Sequence, residues 1–180
     1  MKLIRSTLCV LTGLALTLPL FAQDKPRVSP KETVNATVGE AKVTIVYSRP
    51  YTKDPKTGEK RKIWGGLVPF GQVWRLGANE ATTFTTDKEL TLGGNDIEPG
   101  TYTLYLLPEA EGAKLIVNKQ TGQWGTKYDE KQDLVRIGMK KDPVAKPVDQ
   151  FTITVENNKL RLTWDDVQYS APIQAEHDKK

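Results

Sequence analysis

Beyond residue 40, apolar and polar positions alternate with a period of two. In 41–48 (AKVTIVYS), Val43, Ile45 and Tyr47 fall on one face and Lys42, Thr44 and Val46 on the other. That is the pattern of a strand with one face buried. The alternation recurs in 101–108 (TYTLYLLP), in 151–157 (FTITVEN) and in 159–166 (KLRLTWDD), where Leu160, Leu162 and Trp164 share a face. Asn157-Asn158 joins the last two segments and tolerates left-handed backbone, so the pair predicts a tight hairpin. Pro99-Gly100 fits the middle positions of a type II turn. Shorter runs at 81–86 (ATTFTT), 89–94 (ELTLGG), 113–119 (AKLIVNK), 134–141 (LVRIGMKK) and 167–174 (VQYSAPIQ) supply further strands.

No window has the spacing of a long amphipathic helix. Residues 63–68 (IWGGLV) allow at most one short helical turn, because a glycine pair disfavours more. Turn signals about every ten residues point to an all-β fold, an antiparallel β-sandwich or a jelly-roll-like barrel of about nine to eleven short strands. There is no internal repeat and no linker, so residues 23–180 read as a single domain. Residues 23–30 and 175–180, charged or proline-bearing, read as tails.

The first residues break the alternation and change the expected compartment. Lys2 and Arg5 precede an apolar stretch over 8–21 (LCVLTGLALTLPLF), and Ala22 is followed by the abruptly polar QDKPR. This layout predicts a signal peptide over 1–22, too short for a membrane span and without a stop-transfer pattern after it. The expected product is exported to the periplasm or cell envelope, or secreted, with no transmembrane segment in the mature chain. Cys9 is the only cysteine and falls in the leader, so stability must come from a hydrophobic core rather than a disulfide. A chain of 180 residues less that leader is long enough to build one.

Charge and residue usage exclude several functions. The chain has 26 basic and 22 acidic residues; with Lys2 and Arg5 removed, the balance is too even for a nucleic-acid partner. The one basic cluster, KDPKTGEKRK at 53–62, mixes turn formers with both signs of charge and reads as a solvated loop. His177 is the sole histidine and lies in the C-terminal tail. This removes the usual general base of a Ser-His-Asp site and the usual transition-metal ligand sets. No Gly-x-Ser-x-Gly elbow or phosphate-cradling glycine loop occurs. No metal and no cofactor are expected.

The densest chemistry is 71–84, GQVWRLGANEATTF. Together with SRP at 48–50, RKIWGG at 61–66, PGTYTLYLLP at 99–108, NKQTGQWGTKYD at 118–129 and the closing VQYSAPI, it resembles an exported bacterial family catalogued as domain of unknown function 2911. The likeness covers about residues 27–174. It implies an envelope β-sandwich with no established activity. Residues 53–60 stand as an insertion against the family pattern.

Within the dense block, Gly77 to Glu80 read as a bend, with Arg75 folding back to pair with Glu80 and Asn79 bonding the turn backbone. Arg49 and Arg75 also neighbour aromatics, Tyr51 and Trp74, and Trp64 and Trp124 are flanked by glycines. Such aromatic platforms with arginine and amide groups suit a sugar ring or an anionic small molecule. The candidate ligand-binding residues are therefore Arg49, Tyr51, Trp64, Arg75, Asn79, Glu80 and Trp124, and the partner is a small molecule, a glycan or an envelope protein. Two functions follow: a non-catalytic binding or structural module, or a carboxylate-dependent hydrolase of envelope glycans with Glu80 as acid or base. The second needs a further carboxylate within about 5–10 Å of Glu80 and a pKa raised by burial.

Overall fold

The alternating segments become strands where the pattern places them. The structure, a computed structural model, describes residues 27–175. The leader over 1–22 with Cys9, and His177, lie outside the described residues. Among the described residues nine strands form in chain order: β1 (Lys31–Val38), β2 (Ala41–Ser48), β3 (Thr82–Thr86), β4 (Leu90–Leu92), β5 (Asn95–Ile97), β6 (Gly100–Pro108), β7 (Gly112–Asn118), β8 (Asp133–Glu156) and β9 (Lys159–Ala175). All pair antiparallel, in the spatial order β1-β2-β3-β6-β7-β8-β9-β4-β5. The sheet is not closed into a barrel.

Two pairs of expected strands are fused. The segments at 134–141 and 151–157 both belong to β8, and those at 159–166 and 167–174 both belong to β9. The fused hairpin is bent rather than straight. Its register slips between Pro143 and Val148 and again between Val148 and Thr152, and Asp165 sits opposite with φ of 52°. Such irregularities add bend and twist to a ladder. Here the second half of β8 comes back against Tyr47 of β2, and β8 also contacts β1. Tyr47 of β2 meets Phe151 of β8 edge-on at 5.6 Å, and its hydroxyl accepts the Ile153 N–H at 2.9 Å.

One core fills the space that this curl encloses. Val43, Ile45 and Tyr47 are buried, as the alternation in β2 requires, and Trp164, Tyr105, Tyr169, Phe84 and Phe151 are the largest fully buried side chains. Each such side chain contributes roughly 1.5–3 kcal/mol on leaving water.

The local predictions fare unevenly. Asn157 and Asn158 have φ of 51° and 55°, as a two-residue type I′ hairpin demands. Gly100 has φ of 158°, far from the roughly 80° of a type II turn, because the chain there crosses from edge strand β5 to central strand β6. Residues 63–68 form a wide turn closed by Gly65 N–H to Val68 O at 2.9 Å, not a helical one. The single 3-10 turn among the described residues is Glu130–Gln132, capped by the Asp129 carboxylate. The tail read over 23–30 ends earlier than expected: Pro30 O accepts the Arg49 N–H at 2.9 Å, and β1 starts at Lys31. At the other end, Ala175 pairs with Leu90.

Candidate functional site

The bend in the dense block is a backbone crossing. Leu76, Gly77 and Asn79 all have positive φ, 50°, 151° and 60°. A leucine in that region costs about 1–3 kcal/mol, and two contacts hold it there: Leu76 is fully buried, and its carbonyl accepts the Thr82 hydroxyl at 2.7 Å. At Gly77 a Cβ would lie 2.8 Å from Ser48 O, so glycine permits the close approach to the end of β2. Ala78 N–H donates to the same carbonyl at 3.2 Å. On the other side, Asn79 O accepts the Gly125 N–H at 3.0 Å, and Ala81 N–H reaches Gln123 O at 3.2 Å. Three of the stretches that carry the family resemblance, 48–50, 74–80 and 122–125, thus meet at one corner.

The expected Arg75–Glu80 pair is absent. Glu80 instead takes both hydrogen bonds from Arg27 Nη1, at 2.8 Å to Oε1 and 2.7 Å to Oε2. The hydrogen bond from Arg27, more than any other contact, holds its carboxyl below the usual glutamate range. The positive-φ residues explain the separation. Glu80 is drawn into a backbone bridge with Trp124, while the stem of Arg75 lies over Gly125, where an added Cβ would come within 2.9 Å of Arg75 Cδ. The Arg75 guanidinium has no hydrogen bond or ion pair among the described residues.

Arg75, Asn79 and Tyr51 come together on one groove of about 570 Å³. Trp74 and Trp164 also line it, stacked at 5.5 Å with 17° between their planes. Tyr51 and Leu67 stand at its rim, 40% and 47% exposed. The other four candidates are elsewhere. Trp64 is a core residue: it is buried, its indole N–H donates to Trp164 O at 3.0 Å, and it packs edge-on against Trp74, Trp164 and Tyr169. Arg49 clamps β2 to β8, donating to Phe151 O at 3.0 Å and Thr152 Oγ1 at 2.7 Å. Glu80 faces a separate cavity of about 160 Å³. Trp124 is exposed but lies outside the groove, and it shapes the site only through the glycine that follows it.

Several groove residues carried no sequence signal. Lys53 and Arg61 line the groove, although the cluster at 53–62 reads as a solvated loop. The 53–60 insertion does form a small hairpin, with Lys53 and Lys60 bridged, and it places both cations at the groove wall. Arg61 donates to Tyr51 O and Thr52 O. Asp149, from the bent part of β8, accepts the Thr52 hydroxyl. Its neighbours in sequence, Val148 and Gln150, give no hint of this. Asp54 accepts the N–H groups of Lys56 and Thr57, which lower its carboxyl below the usual range. Among the described residues no group of His, Cys, Asp or Glu is placed to hold a metal ion, and no helix is long and apolar enough to cross a membrane.

Residues 29–173 match the family model described as "Protein of unknown function (DUF2911)". The chain belongs to this family. No curated protein and no solved structure matches it. The family match spans the sheet up to the last pairs of β9, so Arg75, Asn79, Tyr51 and Gly77 lie within it, while Arg27 and Val28 lie just before it and Lys53, Asp54 and Pro55 come from the 53–60 insertion.

Proposed function

We propose that this family member is an exported, non-catalytic β-module of the cell envelope that holds a small ligand in the groove beside Tyr51, Arg75 and Asn79. One observation carries the reading. Arg75 is a cation placed on the groove wall by its packing over Gly125, and it has no partner among the described residues. A guanidinium needed only to lock the corner would meet a carboxylate there; the nearby Glu80 is taken by Arg27. The groove also has the size of small-molecule sites, roughly 300–1,000 Å³. Export rests on the leader pattern of residues 1–22.

The hydrolase reading has less behind it. A general acid at Glu80 needs a raised pKa and a carboxylate partner. Arg27 shifts Glu80 the other way, and Glu80 opens on a different cavity from the Arg75 groove.

A thermal-shift screen of the purified protein against glycans, muropeptides and organic anions tests the binding role. A ligand that raises Tm for the parent protein, but not for a still-folded Arg75→Ala variant, is the expected result. No ligand-induced shift anywhere in the screen would count against binding.

A further inference from the structure

We propose that the groove takes an organic anion: one acid group, a carboxylate or a phosphate monoester, carried on a flat apolar body. The inference rests on the binding role given to this groove and adds the chemistry of its ligand. Three cations, Lys53, Arg61 and Arg75, line the groove against two carboxylates, Asp54 and Asp149. The Arg75 guanidinium and the Lys53 ammonium have no partner among the described residues. Each of the two carboxylates on the groove is held through one oxygen, Asp149 by the Thr52 hydroxyl and Asp54 by two backbone N–H groups, and neither pairs with Arg75 or Lys53. Arg75 and Lys53 are thus left unpaired on the wall, and a guanidinium fork matches a carboxylate or phosphate edge.

Placement strengthens the chemistry. The stem of Arg75 rests on Gly125, where no Cβ intervenes, so less side-chain freedom is lost when an anion binds. The apolar side of the groove is the half-buried Trp74, backed by the buried Trp164 stacked on it, with Tyr51 and Leu67 exposed at the rim, a surface for a ring rather than for a bare ion. A second cavity of about 310 Å³ is also lined by Leu67, Trp74 and Arg75. Arg75 thus stands on the walls of both.

Isothermal titration of the full purified protein with four probes tests this: indole-3-acetate, 1-naphthyl phosphate, neutral indole-3-acetamide and the neutral disaccharide chitobiose. At least one of the two anions binds, roughly tenfold or more tighter than the amide, and the preferred anion tells carboxylate from phosphate. Arg75→Gln weakens that anion by roughly ten- to a hundredfold, and Arg75→Lys recovers part of the loss. Gly138→Ala, in exposed β8 and far from the groove, leaves binding unchanged and shows that the protein tolerates substitution. Equal binding of amide and anion, or an unchanged affinity in folded Arg75→Gln, overturns the anion assignment. Chitobiose binding that is lost in Tyr51→Ala also overturns it while keeping the groove as a binding site. If none of the four probes binds, the anion assignment fails; if the broader screen is silent too, the binding role falls with it.

Discussion

Arg27 Nη1 lies 2.8 and 2.7 Å from the two carboxylate oxygens of Glu80, and this contact ties the first described residue to the corner of the dense block. The two residues that follow Arg27, Val28 and Ser29, line the groove. Glu80 therefore shapes the groove by anchoring the segment that forms part of its wall.

The Arg27–Glu80 pair sets a pH and salt dependence. Glu80 has a folded-state pKa below its ordinary value, so its contribution is present above the ordinary glutamate pKa and is lost as pH falls through the lowered one. Both side chains are more than a third exposed, which limits the pair to about 1 kcal/mol or less. Glu80→Gln should lower Tm slightly at neutral pH and low salt, with the difference vanishing at strongly acid pH and at high salt. Thermal melts of both proteins across pH and ionic strength check this; an equal gap under all conditions would contradict it.

Gly77 and Gly138 should respond in opposite directions to alanine. At Gly77 the new Cβ meets the Ser48 carbonyl at 2.8 Å on a positive-φ residue, and the expected loss is about 1–3 kcal/mol. Gly138 is exposed in β8 with open space around it, so alanine there should be neutral or gain about 0.5–1 kcal/mol. Chemical denaturation of the two variants gives the comparison directly.

Tyr47→Phe removes the acceptor for the Ile153 N–H while keeping the ring against Phe151. Both partners are buried, so the stranded donor should cost about 1–3 kcal/mol with no change in denaturant m-value. A loss well below that range would mean that water reaches the bend in β8.

The two glycine-flanked tryptophans should separate cleanly. Trp64→Ala opens a hole in the aromatic cluster and should destabilise by about 3–5 kcal/mol. Trp124→Ala removes an exposed ring and should stay within about 0.5 kcal/mol. Equilibrium unfolding of both variants measures the contrast.

Much of the sheet was readable as periodicity. β2 matches its predicted segment end to end, β3, β6 and β7 lie within a residue or two of theirs, and the Asn157-Asn158 hairpin has its predicted backbone. β1 and β5 had no such signal. β1 is an edge strand whose side chains are mostly exposed or half-buried, and β5 has only three residues, so neither shows a two-residue apolar rhythm. The candidate site was legible in part. Tyr51, Arg75 and Asn79 do share a groove, whereas Trp64 went to the core because glycines beside a ring mark a tight turn equally well at the surface or beneath it.

By itself, the sequence determined the all-β class, the turn-bounded strands, the family, and the glycines and asparagines that allow left-handed backbone at the corner. These are consequences of side-chain period and backbone sterics within a few residues. Only the tertiary structure decided which charges meet. Arg27 reaches Glu80 across 53 positions, Arg75 is turned away over Gly125, and the bend in β8 delivers Asp149 to the same groove as Arg61. An ion pair depends on distances set by the curl of the whole sheet. Residues five apart can therefore separate while residues 53 apart touch.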